Sequence, residues 1–332
     1  MTAIDKSHIM AASAQGAQRR FTKLALGIDF TAASLGAARW ATSHLAPGVP
    51  TVLLHVVPLP DHDVYDGAEH SMQERMLRQM APALLGGLGG FAATLDVSDS
   101  RTLVRFGRPS RTLVRVAHSF DVDLMVLGRT WRPGSRPPHE PGLVERVARQ
   151  VQASLLAVPQ GVHGSPEHVI AAVDDGPSAP AVVTMATGIA AAHEAPLTVV
   201  HVLSPVHGAF ERLTRLEASG HDGPSLAPAQ GYAARSIAAA RRRMVGLLDD
   251  LAGVRRADVV AVIGQAGPEI LRMLKRVQGA LLVLGKRGAD GSPRGSLGSV
   301  ARYALQNCGA PVLLLEDRDA APSQSFPGDG HR

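Results

Sequence analysis

The chain is short of cysteine, of aromatic residues and of charge. Cys308 is the one cysteine in 332 residues. No internal disulfide can staple such a chain, and this usage fits a reducing compartment. Cys308 closes a predicted helix with no partner for nucleophilic chemistry nearby in sequence, which reads as packing. Aromatics make up 4% of residues and hydrophobic residues 45%, so the cores must be built from Ala, Val and Leu. Charged residues, at 19%, are too few for a disordered chain. No apolar run approaches the roughly 20 residues of a membrane span. The stretch before Phe21 lacks the apolar core of a signal peptide. Arg19 and Arg20 run into "FTKLALGID", which offers no small-residue cleavage site, and read as the polar flank of a first strand. A cytoplasmic location without membrane contact is the expectation.

Basic residues outnumber acidic ones, giving a formal net charge of +5 and a pI near 9.9. That balance tolerates anionic ligands. It does not indicate nucleic acid, because no Lys/Arg block is interleaved with aromatics. Arg241, Arg242 and Arg243 form the densest run and read as a solvated helix face.

What the chain does have is a repeat. "KLALGIDFTAAS" (Lys23–Ser34) answers "HVIAAVDDGPSA" (His168–Ala179), and "TVLLHVVPLP" (Thr51–Pro60) answers "LTVVHVLSPV" (Leu197–Val206). "LVRFGRPSRTLVRVA" from Leu103 matches "VAVIGQAGPEILRML" from Val260. "DLMVLGR" from Asp123 matches "ALLVLGK" from Ala280, and "GLVERVARQVQASLLAVP" from Gly142 matches "GSVARYALQNCGAPVLLLE" from Gly298. Five landmarks recur in order at a near-constant offset, as a tandem duplication requires. The expected organisation is a disordered segment 1–20, a first domain 21–160, a second domain 166–316 and a disordered tail 317–332, joined through "PQGVHGSP".

Short apolar strands alternate with helical stretches in each half, so the fold class is α/β: a parallel sheet with helices on both faces. Helices are expected over Thr31–His44, Met72–Leu85, Pro109–Ser119 and Gly142–Gln152, then Ser178–His193, Gln230–Ala252, Pro268–Arg276 and Ser299–Asn307. Gly208–Pro228, rich in Gly, Pro and Ser, is expected to be loose.

The densest chemistry lies in "LVLGKRGADGSPRGSLGSVARYAL" (Leu282–Leu305). A strand breaks into glycines, and the glycines open into a helix. In doubly wound sheets ligands sit at the carboxyl ends of strands. Glycines let a ligand approach main-chain amides, and the amides at a helix start favour an anion. Ser299 is placed to cap that helix. The spacing fits neither a Walker A loop, being one residue too long from Gly279 to Gly285-Lys286 and lacking the hydroxyl after the lysine, nor a dinucleotide fingerprint, which should follow the first strand.

The pattern G-x2-G-x9-G-S (Gly285, Gly288, Gly298, Ser299), together with "AVDD" and "VVHVL", resembles the universal stress protein family in its tandem-domain form, over nearly the whole chain. The resemblance implies two tandem open five-stranded parallel sheets of the adenine nucleotide alpha hydrolase-like, Rossmann-like type. It implies ATP binding in a stress or dormancy regulator, with Mg2+ accompanying the nucleotide. Asp174 would contact adenine or ribose and Val202 would line the adenine pocket. Leu284 and Gly285 would flank ribose and phosphates, while Gly288, Gly298, Ser299 and Val300 would hold the phosphate chain. Asp175 either joins a divalent ion or begins a turn, and the turn is the simpler reading. His55 and His201, each inside an apolar strand, read as packed, hydrogen-bonded core histidines.

The first half keeps Asp29 and Gly128 but departs elsewhere. Trp131 stands at the second glycine and Leu143 at the serine, with Pro133, Pro137, Pro138 and Pro141 in the loop. Prolines remove donors, so this half is expected to bind ATP poorly and to serve as a partner surface. Arg129, Arg132 and Arg136 leave room there for another anion.

Three functions follow. A nucleotide-binding regulator with a protein partner or self-association is the reading preferred. The alternatives are a slow ATPase or phosphotransferase using the charges of Lys286, Arg287 and Arg294, and a nucleotide-free interaction module. The last strands, Leu155–Val158 and Val312–Leu315, are expected to pair and so to join the halves.

Overall fold

A computed structural model describes residues 21–59, 75, 77–130, 141–204, 227–251, 257–288 and 296–316. The terminal segments, residues 208–226 of the stretch expected to be loose, and Trp131, Arg132, Arg136 and Arg294 lie outside the described residues.

In the first half the elements run β1 (Leu24–Gly27), α1 (Ala32–Trp40, continued by a π-helical turn Ala41–Leu45), β2 (Thr51–Val57), α2 (Ala81–Ala92), β3 (Ser100–Phe106), α3 (Pro109–Ser119), β4 (Leu124–Arg129), α4 (Leu143–Gln150) and β5 (Ser154–Pro159). The second half repeats the order: β6 (His168–Val173), α5 (Ala179–Ala192), β7 (Leu197–Leu203), α6 (Ala227–Asp250), β8 (Ala257–Ile263), α7 (Ala266–Leu274), β9 (Ala280–Gly285), α8 (Ser299–Asn307) and β10 (Val312–Leu315).

The strands form one ten-stranded sheet in the order β3-β2-β1-β4-β5-β10-β9-β6-β7-β8. Each half is a parallel five-stranded sheet whose strand order reverses between its first and fourth strands. The halves meet antiparallel, with Val312 opposite Ala157, Leu313 opposite Leu156 and Leu314 opposite Leu155. The last strands therefore pair as the sequence leads one to expect, and the two tandem sheets become one surface. Alternation along β5 and β10 sends Leu156, Val158, Leu313 and Leu315 into the core on one face. Leu155, Ala157, Val312 and Leu314 enter the core on the other. Both cores run through the seam.

Helix bounds mostly fall within two residues of expectation, with two instructive differences. Helix α2 runs to Ala92, well past Leu85, through Gly86, Gly87, Gly89 and Gly90. Each mid-helix glycine costs roughly 1 kcal/mol against alanine. Burial of Leu88 and Phe91 against the sheet outweighs that local preference. Helix α6 starts at Ala227, taking up the end of the glycine- and proline-rich stretch.

The connection between halves is tied down. Gly164 O accepts from Trp40 Nε1 at 2.9 Å, His163 O accepts from His44 Nε2 at 3.2 Å, and His44 O accepts from His193 Nε2 at 2.6 Å.

Leu156 is fully buried at the seam. We predict that Leu156→Ala costs about 2–5 kcal/mol, read as a lower urea midpoint. A loss under about 1 kcal/mol would mean that the seam does not pack as described.

Candidate functional site

The crevice at the strand-order reversal of the second half lies beyond the carboxyl ends of β6 and β9. Sheet register brings the expected residues to one edge. Val173 lies opposite His201, which sets Asp174 beside Val202. Ala172 lies opposite Leu284, which sets Gly285 at the same level. His201 Nδ1 bonds Val173 O at 3.0 Å, pinning β7 to the end of β6. His55 Nδ1 does the same for Ile28 O at 2.7 Å in the first half. Both histidines are the hydrogen-bonded packing groups the sequence suggests.

The half-buried Asp174 accepts from the Gly176 amide at 2.9 Å, closing a turn. Asp175 pairs with Arg243 of α6 at 3.2 Å, an exposed ion pair. Val202 is half buried and presents an apolar surface. Leu284 is 3% exposed and lies in the core, so its side chain cannot flank a ribose; only its main chain reaches the crevice.

The glycine loop is packed against itself. Gly298 N–H donates to Lys286 O at 2.8 Å. A Cβ on Gly298 would stand 3.2 Å from that oxygen and 3.4 Å from Gly288 N. A Cβ on Gly285 would lie 2.7 Å from Ser178 Oγ. The chain's own packing thus leaves little room for a side chain at either position. Gly298, not Ser299, is the N-cap of α8, and as a glycine it brings no capping side chain of its own. Ser299 is the first helical residue, with its side chain exposed, and Val300 is half buried. The amides of the first turn of α8 have no partner within the helix itself.

Two of the three loop cations expected to supply charge are engaged elsewhere. Lys286 is 3% exposed. Its Nζ bonds Val151 O at 2.7 Å, Ala153 O at 2.5 Å and the Glu316 carboxylate at 2.9 Å. Burial pushes the Lys286 pKa down, and Glu316 works against that shift. Arg287 pairs with the other Glu316 oxygen at 2.6 Å. Sequence reasoning missed Glu316, whose only signal is an acid directly after the last apolar strand. It also missed Ser178, whose hydroxyl stands over Gly285 and caps no helix amide.

In the first half the same crevice is filled from within. Asp29 Oδ1 accepts from Thr31 N at 3.0 Å, Thr31 Oγ1 at 2.6 Å and Ser34 Oγ at 2.5 Å. Burial raises its pKa, but the Ser34 and Thr31 hydrogen bonds outweigh that and hold it below the usual carboxylate value. Phe30 adopts φ 62°, rare for a bulky side chain. Its ring lies 5.1 Å from that of His55. A Cβ on Gly128 would meet the Ala33 backbone at 2.3 Å, so α1 sits directly on β4. Arg129, considered above as an anion ligand, is buried with its guanidinium spent on carbonyls of the other half.

The sequence profile of the universal stress protein family matches residues 20–159 and again residues 166–316. The chain belongs to the universal stress protein family. Among solved structures it is similar to a universal stress protein from Archaeoglobus fulgidus DSM 4304, at 13% identity over 89% of this chain and 98% of that one, TM-score 0.57. It is also similar to a functionally unknown protein from Pseudomonas aeruginosa PAO1, at 15% identity over 89% and 92%, TM-score 0.53. No match was found among curated proteins. At these identities the two structures bear on the fold, and they agree with a Rossmann-like tandem architecture. No helix among the described residues is long and apolar enough to cross a membrane.

The Asp29 arrangement is directly checkable. A carboxylate with a lowered native pKa stabilises the fold above its ordinary pKa and loses that contribution as pH falls through the lowered value. Ser34→Ala should raise the Asp29 pKa toward its ordinary value and move the loss of that contribution to higher pH. Carboxyl NMR titration reads the shift; an unmoved titration would contradict the hydrogen-bond assignment.

Proposed function

We propose that the second half binds ATP and that the protein acts as a nucleotide-responsive regulator in the cytoplasm, through a protein partner or self-association. The observation that carries this reading is the glycine-capped start of α8, which follows the loop leaving β9 at the strand-order reversal, where the register also brings Asp174 and Val202. A carboxylate suits nucleoside donors, an apolar strand residue suits a base, and first-turn amides with the Ser299 hydroxyl suit phosphate oxygens. Asp174 and Val202 would take the nucleoside, Gly285 and the Leu284 main chain the ribose side, and Gly288, Gly298, Ser299 and Val300 the phosphates.

Regulation is favoured over turnover by the state of the cations. Phosphoryl transfer needs charge stabilisation at the leaving phosphate. Lys286 and Arg287 share the single carboxylate of Glu316, which draws both side chains away from a ligand. Among the described residues no group of three or more His, Cys, Asp or Glu is placed to hold a metal. Charge compensation would fall to Mg2+ carried with the nucleotide and to main-chain dipoles. The first half, with Asp29 and Gly128 enclosed by α1, is read as the non-binding half.

Purified full-length protein should retain ATP unhydrolysed or bind it on titration. Gly298→Val should abolish binding, because the side chain collides with Lys286 O. Asp174→Ala should weaken it about tenfold, the loss of one charge-assisted hydrogen bond. A flat calorimetric titration of the wild-type protein at millimolar ATP would overturn the reading. ADP release lost in Ser299→Ala would turn it into an enzyme.

A further inference from the structure

The two halves exchange buried cations across the seam. Arg129 ends β4 of the first half and is 8% exposed. Its Nη1 donates to Leu305 O at 3.2 Å, and its Nη2 to Cys308 O and to Ala310 O at 3.1 Å. These carbonyls belong to the last turn of α8 and the residues just beyond it. Lys286, the matching end of β9, makes the mirror-image contacts with Val151 O and Ala153 O past the end of α4. Val151 and Cys308 are the C-caps of the two helices. The correspondence is residue for residue, so the device is built into the pseudo-symmetry of the fold.

The two cations differ in one respect. Lys286 has a carboxylate beside it in Glu316. The contacts described for the Arg129 guanidinium are to main-chain carbonyls, so the negative end of the α8 dipole serves as its counter-charge. Burial lowers its pKa to about 10, so it stays charged at neutral pH. Its Nε is buried without a partner among the described residues. Both terminal nitrogens of the side chain are thus engaged at the helix end. Packing between the helices adds to the contact: Gln306 Nε2 donates to Glu145 Oε2 at 3.0 Å, from α8 to α4.

Helix α8 has two functional ends. Its first turn follows the glycine loop that leaves β9 in the second half. Its last carbonyls rest on Arg129. A helix of nine residues spans about 13 Å, too short to bend appreciably between them. The helix takes its position from the glycine loop at one end, from Arg129 at the other, and from buried Ala301, Ala304 and Leu305 between them.

We propose that Arg129 is a positioning residue for the phosphate-binding end of the second half, acting through α8, so that nucleotide affinity there depends on a side chain from the half that does not bind. This rests on the nucleotide reading above. It gives the first half a definite role: it contributes the clamp that seats the other half's helix.

The test uses full-length protein and two readouts, hydrogen exchange of the α8 amides and titration with ATP. Arg129→Met keeps the apolar stem and removes the charge. It should speed exchange across Arg302–Asn307 at least tenfold, leave α5 unchanged and weaken ATP about tenfold. Arg129→Lys should recover most of both effects, which a merely space-filling role would not predict. If Arg129→Met does not fold, Arg129→Gln must move α8 exchange in the same direction by a smaller factor. Wild-type exchange in α8 of either uncharged variant, or a lysine variant no better than methionine, overturns the proposal. If wild-type protein binds no ATP, the nucleotide reading fails and with it the affinity effect, while the exchange readout still decides whether Arg129 holds α8.

Discussion

The antiparallel pairing of β5 with β10 is the constraint on which the rest of this molecule depends. Each half ends its sheet on a fully apolar strand, with Ser154–Pro159 buried throughout and Val312–Leu315 likewise. An open edge of that kind is a template for unwanted strand addition. Pairing the two edges removes both and places the halves about a local two-fold axis. The main-chain contacts at the two C-caps then come as a corresponding pair, Arg129 at Cys308 and Lys286 at Val151. The ends of β4 and β9 arrive beside the opposite half's last helix, and a long cation at that position finds the carbonyls that the helix cannot satisfy itself. Arg129 and Lys286 are where they are because the edge strands pair.

Much of this was legible beforehand, for a physical reason. Double burial writes itself into sequence as short continuous apolar runs, and duplication writes the runs twice, so architecture and strand-end positions could be read locally. The roles of His55 and His201 were legible too, since a lone histidine in an apolar strand needs a main-chain acceptor. The fate of the charges was not. Lys286 and Arg287 look like phosphate ligands in a glycine loop until Glu316, a neighbour in space and distant in sequence, is placed beside them. Arg129 looked similarly available, although its partners lie in the other half. Local pattern gives the positions of charged groups but not their partners across a seam.

The shift of the cap from Ser299 to Gly298 belongs to the same lesson. Serine is a strong N-cap in isolation. Here the loop folds back so that Gly298 N–H meets Lys286 O, and the close approach leaves little room for a Cβ. The residue that fits the turn takes the cap position, and serine moves one place into the helix with its hydroxyl outward. A packing requirement thus exposes a polar group, and the local preference for serine as a cap yields to it. Helix α2 shows the reverse balance, with buried Leu88 and Phe91 carrying a helix through four glycines.

The two crevices began with the same framework and have come to differ in what fills them. In the first half, hydroxyls from Thr31 and Ser34 close on Asp29, and α1 presses its backbone onto Gly128. In the second, the atom closest to a Cβ on Gly285 would be the Ser178 hydroxyl at 2.7 Å, which can rotate away, with the Arg287 carbonyl next at 3.0 Å. That difference in compliance matters more than the presence of glycine, since both halves keep the glycine itself. A crevice walled by main chain can open only by moving a helix. One walled by a hydroxyl opens by a change of rotamer and offers a donor as it does so. The division between the halves therefore rests on the first turn of the first helix as much as on the loop that drew attention in the sequence.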